Sequence, residues 1–133
     1  MSILKVNTIQ NASGGNASTT DNIQQGIAKA WVNFDGTVDS SSTNPINDSF
    51  NVSGVTDNAT GIYTITFATN MSNVNYVVNI SKRLSETGGV TSTDDVLAGL
   101  VNTPQTVSTV KVYGRVGTTD TDCKGIHVVV FGD

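Results

Sequence analysis

The chain has 133 residues, a formal charge of −4 at pH 7 and only 14% charged residues, with a single glutamate at Glu86. Ser, Thr, Asn and Gly are abundant and helix formers are scarce, which favours strands and turns over helices. The acidic balance argues against a nucleic-acid surface, because phosphate binding needs clustered Lys and Arg. The sequence also lacks the ~20-residue apolar stretch of a membrane span and the apolar core of a secretory signal.

The first predicted element is a strand over Ile3–Ile9, which has alternating apolar residues. The polar segment Asn11–Gln25 that follows, with its paired glycines, is typical of a linker. An isolated strand is not stable in water and needs a sheet or a partner chain. Two interpretations stay open: the strand joins the sheet of its own domain, or it docks onto another chain. We divide the chain into a docking arm and linker (1–25), with docking residues Ile3, Leu4, Val6 and Ile9, and a β-sandwich domain (26–133).

Six further runs of alternating polarity, separated by Gly, Asn, Asp and Ser, predict a small antiparallel, jelly-roll-like β-sandwich with almost no helix. The last run is apolar on both faces except at His127, which is typical of a central strand or one covered by a neighbouring subunit. Thr56–Gly61 predicts a hairpin connection, since Asn and Gly tolerate positive φ. Thr37–Asn47 and Glu86–Asp95 are expected to be exposed loops. The six predicted strands are Ala28–Phe34, Ser49–Ser53, Ile62–Phe67, Val74–Ser81, Val107–Tyr113 and Ile126–Phe131.

Four aromatic residues are candidates for ligand binding, because amphipathic rings stack on sugar rings at binding surfaces. Trp31 is the best of them, since alternation along its strand places it opposite the apolar face that Ala30, Val32 and Phe34 form. The alternative is that the aromatic residues lie in the core or at a subunit interface. The four candidates are Trp31, Tyr63, Tyr76 and Tyr113.

The sequence gives little support for catalysis. Cys123 and His127 are the only residues of their types, and no third group in the pattern converges on them. The carboxylate pairs Asp94-Asp95 and Asp120 with Asp122 are typical of solvated turns and offer too few oxygens for calcium. Zinc spacing and a phosphate loop are absent. We therefore expect neither an enzyme nor a bound metal or cofactor. One cysteine excludes an intrachain disulfide and suits assembly in a reducing cytoplasm.

Two sequence blocks, AWVNFDGT and SFNVSGVTDNATGIYTITFATNMSNVNYVV, resemble the C-terminal domain of many tail-fibre and other virion proteins of marine and cyanobacterial tailed phages. The closing VVVFGD and the opening LKVNTIQNASGGNAST are similar to segments of the same proteins. Ala59 stands where the family usually has Gly, and Asn70-Met71-Ser72 where it has Ala-Met-Pro. The residues that carry the resemblance are Trp31, Asn33, Phe34, Gly36 and Thr37, then Ser49–Val52, Asp57–Gly61, Tyr63, Phe67, Met71, Asn75 and Tyr76.

The resemblance implies a non-enzymatic virion protein assembled in the host cytoplasm. As a tail-fibre-like domain it would be a homotrimer that attaches to a host cell-surface glycan through several weak sites acting together. Its other partners would be virion proteins of the tail or the capsid. One alternative is a capsid decoration or head-fibre protein, which the arm at residues 1–20 pins to the shell. Another is a free carbohydrate-binding module or an accessory domain of an enzyme.

Overall fold

The computed structural model describes residues 3–39, 44–83, 96–101 and 105–132. Within these ranges the chain is mostly antiparallel β-sheet with one short helix. This confirms the predicted all-β sandwich with almost no helix. The predicted loop Glu86–Asp95, and with it the Asp94-Asp95 pair, lies outside the described residues.

An N-terminal extension precedes the sandwich. Strand β1 (Thr8–Ile9) pairs with β2 (Ser18–Thr19), and helix α1 (Thr20–Gly26) follows directly. In the predicted strand Ile3–Ile9, only the last two residues pair, and their partner is β2. This segment therefore joins neither sheet of the sandwich. Asn11–Gln25 is not a featureless linker either. Thr19 caps α1 by accepting a hydrogen bond from the Asn22 N–H, and an acidic residue stands in the first turn, both of which favour a helix start.

Sheet I contains β3 (Ala30–Phe34), β4 (Ile46–Phe50), β7 (Val77–Arg83) and β11 (Gly125–Phe131), in the order β4–β3–β11–β7. Strand β11 pairs antiparallel with β3 on one side and β7 on the other. The prediction of a central strand at Ile126–Phe131 is therefore confirmed.

Sheet II contains β5 (Val52–Ala59), β6 (Ile62–Phe67), β8 (Val96–Leu100) and β9 (Thr109–Val116), in the order β5–β6–β9–β8. A short strand, β10 (Thr119–Asp120), pairs with the end of β9. The predicted hairpin connects β5 and β6, but its turn is only Thr60-Gly61, and Gly61 has φ +68°. Positive φ there favours glycine because a Cβ atom would clash with the backbone.

The predicted strand Ser49–Ser53 was wrong as a single element. Strand β4 ends at Phe50, β5 begins at Val52, and Asn51 between them has φ +54°. This one residue carries the chain from sheet I to sheet II. The predicted loop Thr37–Asn47 is also shorter than expected, because β4 already begins at Ile46.

The core fills the space between the two sheets. Phe34 of sheet I and Tyr63 of sheet II meet edge to face with ring centroids 5.1 Å apart, and Phe67 meets Tyr76 in the same way at 5.7 Å. Such offset geometries suit the ring quadrupoles and add to the burial of apolar area. The buried core residues of the described chain are Ala30, Val32, Phe34, Val55, Tyr63, Ile65, Phe67, Met71, Tyr76, Val110, Val112, Cys123, Ile126, Val128 and Val130.

Candidate binding surfaces

Two of the four aromatic candidates are core residues. Tyr63 is 1% exposed and Tyr76 is 4% exposed. Their prediction as surface residues for sugar stacking was therefore wrong, and the alternative of a core position holds for both. Alternation along β6 already contained the signal, because it places Tyr63 on the same face as Ile65 and Phe67.

The Tyr63 hydroxyl lies in a buried polar joint that links three segments. It is 2.9 Å from the Gly36 carbonyl oxygen and 2.9 Å from Oδ1 of Asp122, and that oxygen also accepts the Gly61 N–H at 2.6 Å. Burial, and then the hydrogen bond to Asp122, raise the pKa of Tyr63 far above its ordinary value. The phenol therefore stays protonated and acts as a donor. Asp122 is a structural acceptor in this joint and not the solvated turn residue that the sequence suggested.

Gly36 completes the joint. A Cβ atom at this position would lie 2.5 Å from the Tyr63 hydroxyl and 2.8 Å from the Cys123 carbonyl oxygen. Contacts this short force neighbouring atoms to move, so only glycine fits. The joint is therefore a structural element of the fold, which holds the two sheets together.

Cys123 and His127 do not form a site. Cys123 is fully buried, with Sγ 3.3 Å from the Thr121 carbonyl oxygen, whereas His127 is exposed on the outer face of sheet I. Burial raises the pKa of the Cys123 thiol and lowers the pKa of the Lys82 ammonium, although each group opposes the shift of the other. In the described ranges, no group of three or more His, Cys, Asp or Glu side chains is placed to hold a metal.

The outer face of sheet I carries an apolar strip. Trp31 is half-buried and lies opposite Phe50 on one side and Val129 on the other, while Val77 lies opposite Phe131. Phe50 is 54% exposed and Val77 is 66% exposed. Trp31 is thus the aromatic candidate that belongs to the apolar outer surface of sheet I. We call Phe50, Trp31, Val129, Val77 and Phe131 the apolar strip.

An open cleft of about 410 Å³ lies where the N-terminal extension meets the strip. Gln25 of α1 lines this cleft together with Val77 and Phe131 of the strip. Beyond the helix, the Lys29 N–H donates to the Val130 carbonyl at 2.8 Å, which fixes the chain at this end of sheet I. The extension therefore leaves the sandwich beside the apolar strip.

The outer face of sheet II has a different character. Thr64, Thr66, Thr109 and Lys111 are on this face in directly paired positions. Beyond them, Tyr113 lies opposite Ile62. The Tyr113 ring also packs against Gly99, because a Cβ atom at Gly99 would be 2.8 Å from the Tyr113 hydroxyl oxygen.

Arg115 extends this aromatic position. Its guanidinium carbon is 4.7 Å from the centroid of the Tyr113 ring, and its Nε is 2.5 Å from Oδ1 of Asp120. The bond to Asp120 raises the pKa of Arg115 above its ordinary value. A cleft of about 370 Å³ opens beside the pair, which we call the Tyr113 cleft. It is lined by Ile62, Leu100, Val101, Tyr113 and Arg115.

The predicted docking residues of the arm are all exposed in the structure. Ile3 is 75% exposed and Leu4 is 86% exposed, and Val6 and Ile9 are exposed as well. The β1–β2 ladder that holds the arm has two residues on each side, a length that is marginal in water without further packing. Docking of these residues onto a partner stays a prediction.

Comparisons of the chain with protein-family models, with curated proteins and with solved structures found no match. Among the described residues, no helix has the length and apolar character to cross a membrane.

Proposed function

We propose that this chain is a non-enzymatic structural protein of a tailed-phage particle, a homotrimeric tail-fibre-like domain that attaches the particle to a host cell-surface glycan. The observation that carries the proposal is the contrast between a finished core and uncovered apolar surfaces. The sandwich buries four aromatic residues in its core, Phe34, Tyr63, Phe67 and Tyr76, yet the arm and the strip residues Phe50, Val77 and Phe131 are exposed. Exposed apolar surfaces of this extent are typical of proteins that associate with others.

The positions of the resemblance residues support the proposal. Gly36 and Tyr63 belong to the buried joint, Phe34 packs against the Tyr63 ring, and Phe67 and Tyr76 form the second aromatic pair of the core. The resemblance to fibre-end domains therefore rests partly on residues that stabilise this sandwich, and this supports a virion role.

The Tyr113 cleft supports the glycan part of the proposal. Arg115 offers guanidinium donors in the cleft next to the apolar side chains of Ile62 and Leu100, and Asp120, which pairs with Arg115, offers a carboxylate acceptor behind it. Sugar hydroxyls both donate and accept, and the C–H faces of sugar rings need an apolar wall, so the two features are complementary to a saccharide. One such shallow site binds weakly, and three copies on a rigid trimer strengthen attachment through avidity.

A second candidate function is capsid decoration, which the exposed arm favours. In that role the arm holds the sandwich on the shell, and the Tyr113 cleft has no external ligand. The two functions differ in where the chain sits on the particle.

Immunogold labelling of intact particles with antibodies against the full-length chain tests both functions. Gold at the tail end supports the fibre role, and gold distributed over the head supports decoration. Particles without gold, in a lysate that contains the chain, contradict any virion role. For the attachment step, fluorescently labelled full-length protein is expected to bind susceptible cells, and free host polysaccharide is expected to compete with it.

A further inference from the structure

We infer that the N-terminal arm and the apolar strip are the two halves of one self-association interface, in which the arm of each copy lies across the strip of a neighbouring copy. This inference rests on the proposed homotrimer and names the surfaces that form it. The occupant of the strip is thus a second copy of this chain.

The distribution of exposed apolar side chains is the first observation. Among the residues whose side-chain exposure the structure describes, which leave out 96–98 of β8, nine of the ten exposed large hydrophobic residues lie in the N-terminal extension or at sheet I, and Leu100 lies on sheet II. Two separate apolar surfaces on one chain, one extended and one flat, suit each other as partners. The nine residues are Ile3, Leu4, Val6, Ile9 and Ile27 in the extension, and Phe50, Val74, Val77 and Phe131 at sheet I.

The areas favour an interface built from both surfaces. Four strands spaced ~4.8 Å apart, each five to seven residues long, give the outer face of sheet I roughly 300–400 Å². A stable interface buries about 800 Å² on each partner. The arm adds apolar area to this face, which brings the contact closer to that size. A seven-residue arm extends to about 23 Å, more than the ~15 Å that separates the outermost of four strands, so it is long enough to cross the whole face.

The geometry directs the arm to a neighbour. The extension leaves the sandwich beside the strip, where Gln25 lines one cleft with Val77 and Phe131. The arm residues nevertheless remain exposed, so they do not cover the strip of their own sandwich. In a cyclic trimer each copy receives an arm on its strip and gives its own arm to the next copy, which leaves neither surface open.

Charge is consistent with this arrangement. The paired rows Phe50–Trp31–Val129–Asn79 and Val77–Phe131 contain no charged side chain, and Lys5 is the only charged residue of Ile3–Ile9. Because the chain carries a net charge of −4, the approach of two copies is opposed wherever acidic side chains would face each other. The apolar strip is a surface where close approach does not bring like charges together.

Light scattering on full-length variants tests the interface. The wild type is expected to have the mass of three 13.9 kDa chains. The arm variant Ile3→Asp with Leu4→Asp, and the strip variant Phe50→Asp with Val77→Asp, are each expected to be monomers, because both place charge in the buried contact. Thr56→Asp with Thr119→Asp, at exposed positions of sheet II, is the matched control and should remain a trimer. Circular dichroism of every variant checks that the sandwich is intact.

A crosslinking experiment identifies the contact between copies. Leu4→Cys protein mixed with Val77→Cys protein should give a disulfide-linked dimer on mild oxidation, and Leu4→Cys mixed with Thr56→Cys should not. A wild-type monomer, or a trimer that survives both charged variants, overturns the interface. The immunogold result does not depend on this mass, so the virion role stands or falls separately. If only particle incorporation is lost in the arm variant, the occupant of the interface is another virion protein and not a second copy.

Discussion

The two outer faces of the sandwich cover the same core and differ in almost every other respect. Sheet I presents Trp31, Phe50 and Val77, whereas sheet II presents threonines beside the Tyr113–Arg115 pair. An apolar face has no free-energy cost of exposure to water when another chain covers it. A face that stays in water is better solvated when it carries hydroxyls and charges. This difference is what we expect if, as proposed, sheet I faces another copy of the chain and sheet II faces the solvent.

The largest loss of stability is expected when the core between the two sheets loses one of its aromatic residues. Phe34→Ala deletes the ring that contacts Tyr63 between the sheets and leaves a cavity, so the free energy of unfolding should fall by about 3–5 kcal/mol. Urea denaturation measures the loss. Thr56→Ala, at an exposed position of sheet II, is the control and should change the free energy of unfolding by about 0.5 kcal/mol or less. Equal losses in the two variants would contradict a core role for Phe34.

The next largest loss of stability is expected at the buried Tyr63, and not at Tyr113 on the surface of sheet II. Tyr63→Phe removes the donor to the Gly36 carbonyl and to Asp122, and it leaves buried acceptors without that partner. We expect a loss of about 1–3 kcal/mol in the free energy of unfolding. Tyr113→Phe is the matched control on sheet II and should stay within about 0.5 kcal/mol of the wild type. A neutral Tyr63→Phe would show that the joint does not stabilise the sandwich.

A somewhat smaller loss is expected at the crossing from sheet I to sheet II. Asn51 accepts the Thr69 N–H at Oδ1 and donates from Nδ2 to the carbonyls of Lys29 and Thr69. Asn51→Gly keeps the positive φ and deletes these bonds, so thermal unfolding should show a loss of about 1–2 kcal/mol. Asn16 also has positive φ but belongs to the extension, and Asn16→Gly should leave the melting temperature unchanged.

The smallest effect on stability is expected at the solvent-facing side, together with a large effect on attachment. Arg115→Met should lower the free energy of unfolding by about 0.5 kcal/mol or less, because its ion pair with Asp120 is partly solvated and such pairs contribute little. It should reduce binding of labelled protein to host cells at least tenfold. Lys111→Met, on the same strand and face, controls for the loss of a positive charge. Equal binding by Arg115→Met and wild type would remove the Tyr113 cleft from the attachment surface.

The strand pattern was readable from the sequence where alternation was strong. Ile126–Phe131 was predicted as a central strand because both of its faces are apolar, and the structure places β11 between β3 and β7. The division at Asn51 was not predicted, because a single residue with positive φ interrupts a run that alternates normally on both sides. Helix α1 was missed because Ile23 is the only apolar side chain among its seven residues, which gives no helical periodicity. The available signal was the cap at Thr19 followed by an acidic first turn.

The candidate site was less predictable, since it depends on contacts between distant residues. Tyr63 could have been assigned to the core from its place beside Ile65 and Phe67. Its bond to Asp122 could not, because the two residues lie far apart in sequence and meet only when the sheets pack. The pairing of Arg115 with Asp120 is local, yet it became a candidate only through the cleft that β8 closes beside Tyr113.

The pairing of β3 with β11 sets the order in which the protein can fold. Val32 lies directly opposite Val128, so the centre of sheet I joins the first and the last strands that the structure describes in the sandwich. During synthesis on a ribosome, β3 emerges long before β11, its partner in sheet I. The apolar face of β3 therefore stays exposed to water until the rest of the chain has been synthesised. The chain loses the entropy of closing this long loop before the contacts between the strands form. Folding is therefore slow, on the order of milliseconds to seconds for β-sandwiches. The β5–β6 hairpin pairs residues that are close in sequence, so we expect it to form early and to offer an edge on which the later strands assemble.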